Sequence, residues 1–413
     1  MLKQFIFAVM LLITGISIAQ NGTTSPYSFF GIGEQKFKGT AENRSMGGLS
    51  VYSDSIHLNI QNPASVAKLK LVNYAVAGSY KYATQKTDTE TQNATSTSLD
   101  YLALGIPMGK FGASFGILPF STVGYKLSSE TESSISQYTG TGGLNKVFMA
   151  FAYQFTPNFT FGIDANYNFG NVERKVLIDE YDNQFGTREV INSDLMGFSF
   201  NFGAEYRTMI NDYLELTTSA TYSPATNFDI KGDREISSLL ISDNGTVVPV
   251  DTRVLPLNNA DVKFPSQITL GAGIGTPKDW FIGAQFSNIK VSNFNDPTLN
   301  VSTVEFIDAN RYRIGGFFIP NYNSISSYWD RVVYRAGARY EENGINVRGE
   351  DINEFGISFG VGLPVGRMYS NLNFGFEIGS RGTTSSGLVK ENFVNTFISL
   401  SLNDKWFEKR YID

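Results

Sequence analysis

Residues 266–288, SQITLGAGIGTPKDWFIGAQFSN, change polarity at every second position. Before and after the turn TPKD, one face of the extended chain carries large apolar side chains and the other carries glycine, threonine, glutamine and serine. A phosphate-binding glycine loop needs a lysine followed by Ser or Thr and then a helical pattern, but Lys278 is followed by Asp279 and Trp280. The stretch therefore predicts a β-hairpin with one apolar face.

The same alternation recurs to the end of the chain and predicts an all-β fold. Most of the alternating segments are about ten residues long, which is the length that a tilted strand needs to cross a bilayer. We expect about fourteen strands, an even number of the kind found in bacterial transmembrane barrels. The candidate strands are 72–84, 97–107, 111–120, 146–156, 158–173, 188–208, 213–223, 266–276, 280–290, 309–319, 331–341, 353–364, 370–380 and 393–404.

Charged side chains on these strands fall on the face opposite to the apolar one. An Arg or Lys on the lipid face costs about 2–4 kcal/mol at mid-bilayer, whereas charges inside a barrel are tolerated. Such charges form either a ladder that binds a ligand or a hydrated network that braces the lumen, and the second interpretation is favoured. The expected lumen charges are Asp164, Glu205, Arg207, Glu215, Arg311, Arg313, Arg335, Arg339 and Glu377.

The connections between candidate strands alternate between short and long. Long loops at one rim and short turns at the other are typical of an outer-membrane barrel. A soluble β-sandwich would also alternate in polarity, but it would not sort its connections so consistently. The expected long loops are 85–96, 121–145, 174–187, 224–265, 291–308, 342–352 and 381–392.

The N-terminus predicts export. In MLKQFIFAVMLLITGISIAQ, the cation Lys3 precedes an apolar run, and small residues lead to a cleavage site after Ala19. The expected organisation is a signal peptide at 1–19, an N-terminal plug at 20–70, a transmembrane barrel at 71–407 and a periplasmic tail at 408–413. The chain has no cysteine, which excludes disulfides and a lipid anchor, and its net charge of -6 does not favour nucleic acid.

A family resemblance rests on the segment that precedes the first strand. MGGLSVYSDSIHLNIQNPASVAKL contains Gly47, Gly48 and the step Asn62-Pro63-Ala64, in which Asn62 and Pro63 also predict the start of a short helix. Together with FGASFGILPF and KFPSQITLGAGI, this segment resembles the FadL/TodX outer-membrane transport family. SPYSFFGIGE and LNDKWFEKRYID look like a branch of that family found in Bacteroidota.

The resemblance implies a fourteen-strand barrel, plugged by its N-terminal segment, that passes hydrophobic small molecules sideways into the membrane without covalent chemistry. In that family a kink in the third strand opens the barrel wall, and Gly112, Gly116 and Pro119 are the candidates here. The alternative is that Pro119 only ends the strand. Because the inward faces are polar, an apolar pocket must come from plug residues, for which the candidates are Phe29, Phe30, Ile32, Leu58, Ile60 and Val66.

Two functions follow from this fold. The first is passive, lateral-diffusion uptake of a hydrophobic small molecule, and the alternative is a non-transporting scaffold or accessory subunit of a larger Bacteroidota machine, for barrel assembly or type IX secretion. In the second case the long 224–265 connection serves as an extracellular docking arm. We expect an integral outer-membrane protein with its long loops outside the cell and its C-terminal tail in the periplasm.

Catalysis has little support in the sequence. His57 is the single histidine and lies in the plug rather than on a strand, so a structural hydrogen bond explains it better than a Ser–His hydrolase does. The chain offers neither a cysteine nor a histidine pair for a metal. We therefore expect no enzyme activity, no cofactor and no metal.

Overall fold

The computed structural model describes residues 22–241, 247–296, 304–365 and 370–406. The predicted signal peptide (1–19) and C-terminal tail (408–413) lie outside these ranges. Residues 22–71 precede the first long strand, and we call them the inner segment. They contain a 3-10 turn at Pro26–Phe29, the two-residue strand β1 (Glu34–Gln35), helix α1 (Ala41–Ser45) and a 3-10 helix at Pro63–Lys68.

Long antiparallel strands form the rest of the described chain. Further 3-10 turns lie at Val291–Asn293, Trp329–Arg331 and Ser385–Gly387. The strands are β2 (Val72–Lys86), β3 (Thr91–Met108), β4 (Phe111–Glu130), β5 (Ser134–Gln154), β6 (Phe159–Glu180), β7 (Gly186–Met209), β8 (Glu215–Ser223), β9 (Thr226–Ile241), β10 (Val247–Phe264), β11 (Gln267–Thr276), β12 (Trp280–Ile289), β13 (Val304–Phe306), β14 (Ala309–Phe318), β15 (Val333–Val347), β16 (Glu350–Val365), β17 (Ser370–Arg381) and β18 (Lys390–Asp404).

The strands close into a barrel because β18 pairs with β2 along its whole length. Strands β8 and β9 lie end to end along β7, and β10 and β11 lie end to end along β9 and β8, so each couple acts as one strand of the wall. Apart from β1 and the short β13, this gives fourteen wall strands. The predicted fold class is therefore confirmed.

Alternation places apolar side chains outside the wall and polar ones inside it. On β17, Ile378 is 54% exposed whereas its neighbour Glu377 is 3% exposed. The hairpin of β11 and β12 pairs Thr276 with Trp280 and Gln267 with Ile289, as expected from its sequence. The outer face is thus suited to lipid and the inner face to water or to the inner segment.

Most wall strands extend further than the sequence indicated. The expected loops 121–145 and 174–187 consist largely of β4 to β7, and the expected loop 224–265 consists largely of the β9–β10 hairpin. In these extensions the apolar side chains face the interior, as Val123 and Tyr125 do, so the pattern of an apolar outer face that marked the expected strands ends there. Long strands, not long loops, project from this rim, which we call the loop rim; the opposite rim, with the short connections, is the turn rim.

The inner segment runs through the barrel from the loop rim to the turn rim. At the loop rim, Ser25 Oγ donates a hydrogen bond of 2.7 Å to the carboxylate of Glu391 near the start of β18. Ile32 packs in an apolar cluster with Phe120, and Val66 packs in another with Leu118. None of the described helices is long and apolar enough to cross a membrane.

Candidate functional site

Buried ion pairs join the inner segment to the wall. Arg381 on β17 contacts Glu34 of the inner segment at 2.7 Å and also pairs with Glu354 on β16. Arg44 of α1 contacts Glu377 on β17 at 3.4 Å and Asp100 on β3 at 3.5 Å. All of these side chains are less than one fifth exposed. The inner segment is therefore fixed electrostatically at two points.

Arg339 on β15 lies at the centre of this network. Its guanidinium contacts the carboxylates of Glu377 at 2.5 Å and Glu341 at 3.4 Å, and it also pairs with Glu354. One arginine thus compensates three acidic side chains that are held out of bulk water. Such a cluster is stable only while every charge has its partners.

The sequence-predicted lumen charges are all at least partly buried. Arg207 contacts Glu205 at 3.3 Å and Glu215 at 3.5 Å, and Glu205 accepts a hydrogen bond of 2.6 Å from Ser53 of the inner segment. The remaining members do not form one ladder. Arg311 and Arg313 pair with Glu341, Arg335 donates to Asn373 at 3.1 Å, and Asp164 lies apart on β6.

Several members of the network were not predicted from the sequence. Glu34 and Arg44 lie in the inner segment, where no alternation marks an inward face. Arg381 and Glu391 lie in the expected loop 381–392. Arg381 has the same parity as Glu377 on β17, so extending the period-two pattern by one residue beyond the expected strand end would have found it.

Glycines on the wall allow the inner segment to approach the strand backbone. A Cβ on Gly337 would lie 2.2 Å from the carbonyl carbon of Met46, and a Cβ on Gly315 would lie 2.2 Å from the carbonyl oxygen of Met46. The chain turns at this point through Gly47 and Gly48, whose φ angles are 68° and 84°. Left-handed φ favours glycine, which explains the pair.

The Asn-Pro-Ala step begins the 3-10 helix at Pro63–Lys68. Asn62 Oδ1 accepts a hydrogen bond of 3.1 Å from the N–H of Ala64, and Pro63 occupies the first helical position, as predicted. A Cβ on Gly203 would lie 2.2 Å from Asn62 Oδ1, and a Cβ on Gly162 would lie 2.6 Å from the carbonyl carbon of Pro63. Wall glycines on β6 and β7 therefore accommodate this step.

His57 holds the turn-rim part of the inner segment in place. Its Nδ1 lies 2.5 Å from Asp54 Oδ2, and its Nε2 lies 3.0 Å from Asn371 Nδ2 on β17. Burial lowers the pKa of His57, but the charge of Asp54 and the hydrogen bond to it outweigh burial, so the pKa lies above the ordinary 6.5. Neither partner is a hydroxyl or thiol nucleophile, so these two contacts do not form a hydrolase triad.

The wall opens between β3 and β4. These strands are paired over only seven residues, from Met108 with Phe111 to Leu102 with Ile117, whereas β4 and β5 are paired over nineteen. Beyond that point, 91–101 (the β3 lip) pairs with β2, while 118–130 (the β4 lip) pairs with β5. We call the opening between the two lips the seam.

The seam begins within the height of the membrane and continues beyond it towards the loop rim. Seven residues at about 3.3 Å each, tilted by about 40°, rise about 18 Å from the turn rim, and the apolar band of such barrels is about 25 Å tall. The outward Tyr80 and Tyr82 on β2 lie opposite Thr97 and Thr95 of the β3 lip, at a level that suits an interfacial aromatic girdle. The seam therefore opens towards lipid in the loop-rim half of the wall.

Pro119 lies just beyond the last pair of β3 with β4. The register of β4 against β5 shifts between Pro119 and Ser121, and Pro supplies no N–H to a ladder. The strand continues to Glu130, so the alternative that Pro119 merely ends it is wrong. Gly112 and Gly116 lie before the seam, where a Cβ would meet the carbonyl oxygens of Val66 at 2.3 Å and Leu102 at 2.4 Å. A gating role for the three residues stays a prediction.

Two small cavities lie inside the barrel on either side of residues 35–38. Their volumes are about 240 Å³ and 130 Å³, and both are lined by Gln35 and Lys38. Of the six candidate pocket residues, Phe30 and Ile32 line the larger cavity and Ile60 lines the smaller one, and a ligand-binding role for the six stays a prediction. Three separate clusters hold them: Phe29 and Ile32 in the first, Phe30 in the second, and Leu58, Ile60 and Val66 in the third.

Solved structures with a similar fold are outer-membrane channels. The CymD monoaromatic hydrocarbon channel aligns with a TM-score of 0.62 at 13% identity, covering 91% of this chain and all of that one. The Ralstonia pickettii toluene transporter TbuX gives 0.60 at 15% identity, covering 89% of this chain and 99% of its own. A Pseudomonas aeruginosa FadL homologue gives 0.59 at 11% identity, with coverage of 90% and 98%. At these identities the likeness is one of fold.

The barrel of this chain thus has the fold of these channels. No protein of curated function matches it in sequence. A family model described as BamG matches residues 1–413. The chain accordingly belongs to the BamG family.

Proposed function

We propose that this protein is an accessory subunit of a larger outer-membrane assembly concerned with barrel assembly, and that it carries no small molecule and catalyses no reaction. The observation that carries the proposal is the fixation of the inner segment within the lumen by the ion pairs of Glu34 and Arg44. In the proposed orientation the loop rim faces outward and the turn rim and both ends of the barrel sequence face the periplasm.

Energetics support a static inner segment. Moving it out of the lumen separates Glu34 from Arg381 and Arg44 from Glu377. A buried charge that loses its last partner costs about 3–5 kcal/mol. Here Arg381 keeps Glu354 and Glu377 keeps Arg339, so each separation costs less than that, but both oppose displacement of the inner segment with each passing solute.

The sizes of the lumenal cavities support the same conclusion. Pockets for drug-sized ligands measure about 300–1,000 Å³, and the two cavities found among the described residues, of about 240 and 130 Å³, are too small for such a ligand, although a cavity of about 150 Å³ holds benzene. The β3 side of the seam also presents Ser96, Ser98 and Asp100 towards the larger cavity. An apolar solute gains little from such a polar surface.

The family name supports the kind of assembly. BamG follows the naming of subunits of the barrel-assembly machinery, and the match extends over the whole chain. The long β9–β10 hairpin at the loop rim adds a surface for protein contacts outside the membrane. Membership of a Bacteroidota machine is part of this proposal.

Native pull-down of the full-length chain from mild detergent tests the proposal. We expect a stoichiometric complex with a second outer-membrane barrel, and we expect depletion of the chain to reduce the amount of other barrels in the outer membrane. Recovery of the chain alone, with unchanged levels of other barrels, would contradict it.

The seam favours a second candidate function, passive lateral uptake of a hydrophobic small molecule. The CymD and TbuX structures are named as a monoaromatic hydrocarbon channel and a toluene transporter, and Pro119 lies beside the seam here. Under this function, Pro119→Ala slows uptake of a hydrophobic compound, and purified protein carries a detergent or fatty-acid molecule in the larger cavity. Uptake that is indifferent to both Pro119→Ala and deletion of the chain would dismiss it.

A further inference from the structure

The two lips of the seam are not equivalent. The β4 lip is covered by the inner segment, because β1 pairs with Thr122 and Ser121 and the N–H of Lys36 donates to the carbonyl oxygen of Phe120 at 3.1 Å. The N–H of Gly124 also donates to Ser28 Oγ at 3.1 Å. The β3 lip, by contrast, pairs with β2 alone. One lip of the seam thus already accepts an added strand, and the other lip keeps a free edge.

The β3 lip has only one of the features that protect natural edge strands, the inward charge of Asp100 at the end of the lip next to the paired part of β3. Protected edges carry proline, lysine or inward charges, or they are very short. The sequence of the lip, TQNATSTSLDY, has no proline and no lysine over eleven residues, and its single charge is Asp100. Its β-branched threonines favour strand geometry. This edge is competent to pair with another extended chain.

The surroundings of the β3 lip favour a polypeptide over lipid as its occupant. Leu99 is 60% exposed, so the lip is open on its outer side. The end of the lip next to the paired part of β3 lies at membrane depth, where unpaired main-chain N–H and C=O groups cost several kcal/mol each and acyl chains offer them no partner. An extended peptide satisfies these groups with its own main chain and needs little from the side chains, which here are mostly small.

We propose that the β3 lip is a strand-addition site, at which an extended segment of a partner polypeptide pairs with residues 91–101 and fills the seam. This inference rests on the proposed accessory role and assigns its docking surface. Main-chain pairing gives the affinity, and the alternating Thr and Ser side chains set the register. The partner segment is a strand with apolar residues on the face that points to lipid.

Two threonines at the same height provide a matched test. Thr97 on the β3 lip and Thr396 on the fully paired β18 both lie opposite Tyr80, and both are exposed outside the wall. The photocrosslinking residue benzoylphenylalanine replaces either Thr97 or Thr396 in the full-length chain, and cells that carry each variant are irradiated. We expect an adduct at Thr97 that maps to one short extended segment of a single polypeptide, and no such adduct at Thr396.

Proline substitution tests the main-chain nature of the contact. Successive N–H groups along a strand point to opposite sides, so one of Ser96→Pro and Thr97→Pro removes an N–H that faces the seam and the other removes one that faces β2. The variant that lacks the seam-facing N–H should still show the heat-modifiable gel mobility of a folded barrel. It should recover about tenfold less of the partner than the parent does. The adduct at Thr97 remains decisive if neither variant folds.

The outcomes separate this inference from the proposed function. Adducts at Thr97 with lipid only, with residues of the inner segment, or at the same level as at Thr396 would overturn strand addition. A complex that survives with the seam-facing proline would also overturn it while leaving the accessory role intact. Failure of the wild-type chain to form any complex would overturn the accessory role itself.

Discussion

The contact between α1 and the wall leads to a quantitative prediction for Gly337→Ala. The added Cβ would lie 2.2 Å from the carbonyl carbon of Met46 and 2.3 Å from the N of Gly47. Both atoms belong to the backbone, so the inner segment must move. Overpacking of this kind costs about 1–3 kcal/mol. The equilibrium between docked and displaced inner segment should therefore shift by about 5- to 150-fold.

A cysteine reporter measures that shift. The chain has no cysteine of its own, so Ser45→Cys introduces a single thiol at a side chain that is 1% exposed. A maleimide modifies it only when α1 leaves the wall, and we expect Gly337→Ala to raise the modification rate by the factor above. Gly78→Ala is the matched control, since its Cβ meets only the carbonyl oxygen of Ser98, at 3.3 Å. Equal rates in Gly337→Ala and the parent, or an equal rise in the control, would refute the packing argument.

Two further predictions concern ionised groups. Arg339→Met removes a cation that three buried carboxylates share, and each of them keeps one other arginine partner or more, so it should lower the free energy of unfolding by about 1–3 kcal/mol in urea titrations, with partial recovery on adding Glu377→Gln; an unchanged midpoint would contradict the network. Burial lowers the pKa of His57, but the charge of the nearby Asp54 and the hydrogen bond to it outweigh burial and hold that pKa above 6.5. Protonated His57 therefore stabilises the folded protein fully below pH 6.5, and this contribution is lost as the pH rises through the raised pKa. The difference in melting temperature between the parent and His57→Gln should thus shrink as the buffer becomes alkaline, and growth of that difference would disprove the assignment.

The β4 to β7 extensions illustrate what sequence patterns miss. Within the membrane, lipid on one side and water on the other force a strict alternation, so Phe359 against Ser358 predicts a strand unambiguously. Nearer the loop rim, the apolar residues of 121–130 face the interior instead: Val123 and Tyr125 pack in the cluster of Ile32, although the segment is strand throughout. Pairing with a distant neighbour, here β5, determines its conformation.

The ion network shows a similar division. Alternation predicts that Arg339 and Glu377 face inward, because a charge in a membrane barrel costs less free energy in the lumen than on the lipid face. Which charges meet depends on strand register and on the path of the inner segment, and neither leaves a periodic signal. Glu34 and Arg381, separated by most of the chain, therefore could not be paired from the sequence.

The sequence alone determined that a closed wall of about fourteen strands separates lipid from a polar interior, because each strand alternates apolar residues on one face with polar residues on the other. Only the tertiary structure decided where the wall fails to pair. The seam between β3 and β4 depends on main-chain hydrogen bonds that every residue type except proline can form, and residues 91–101 contain no proline, so their side chains do not reveal where the pairing ends.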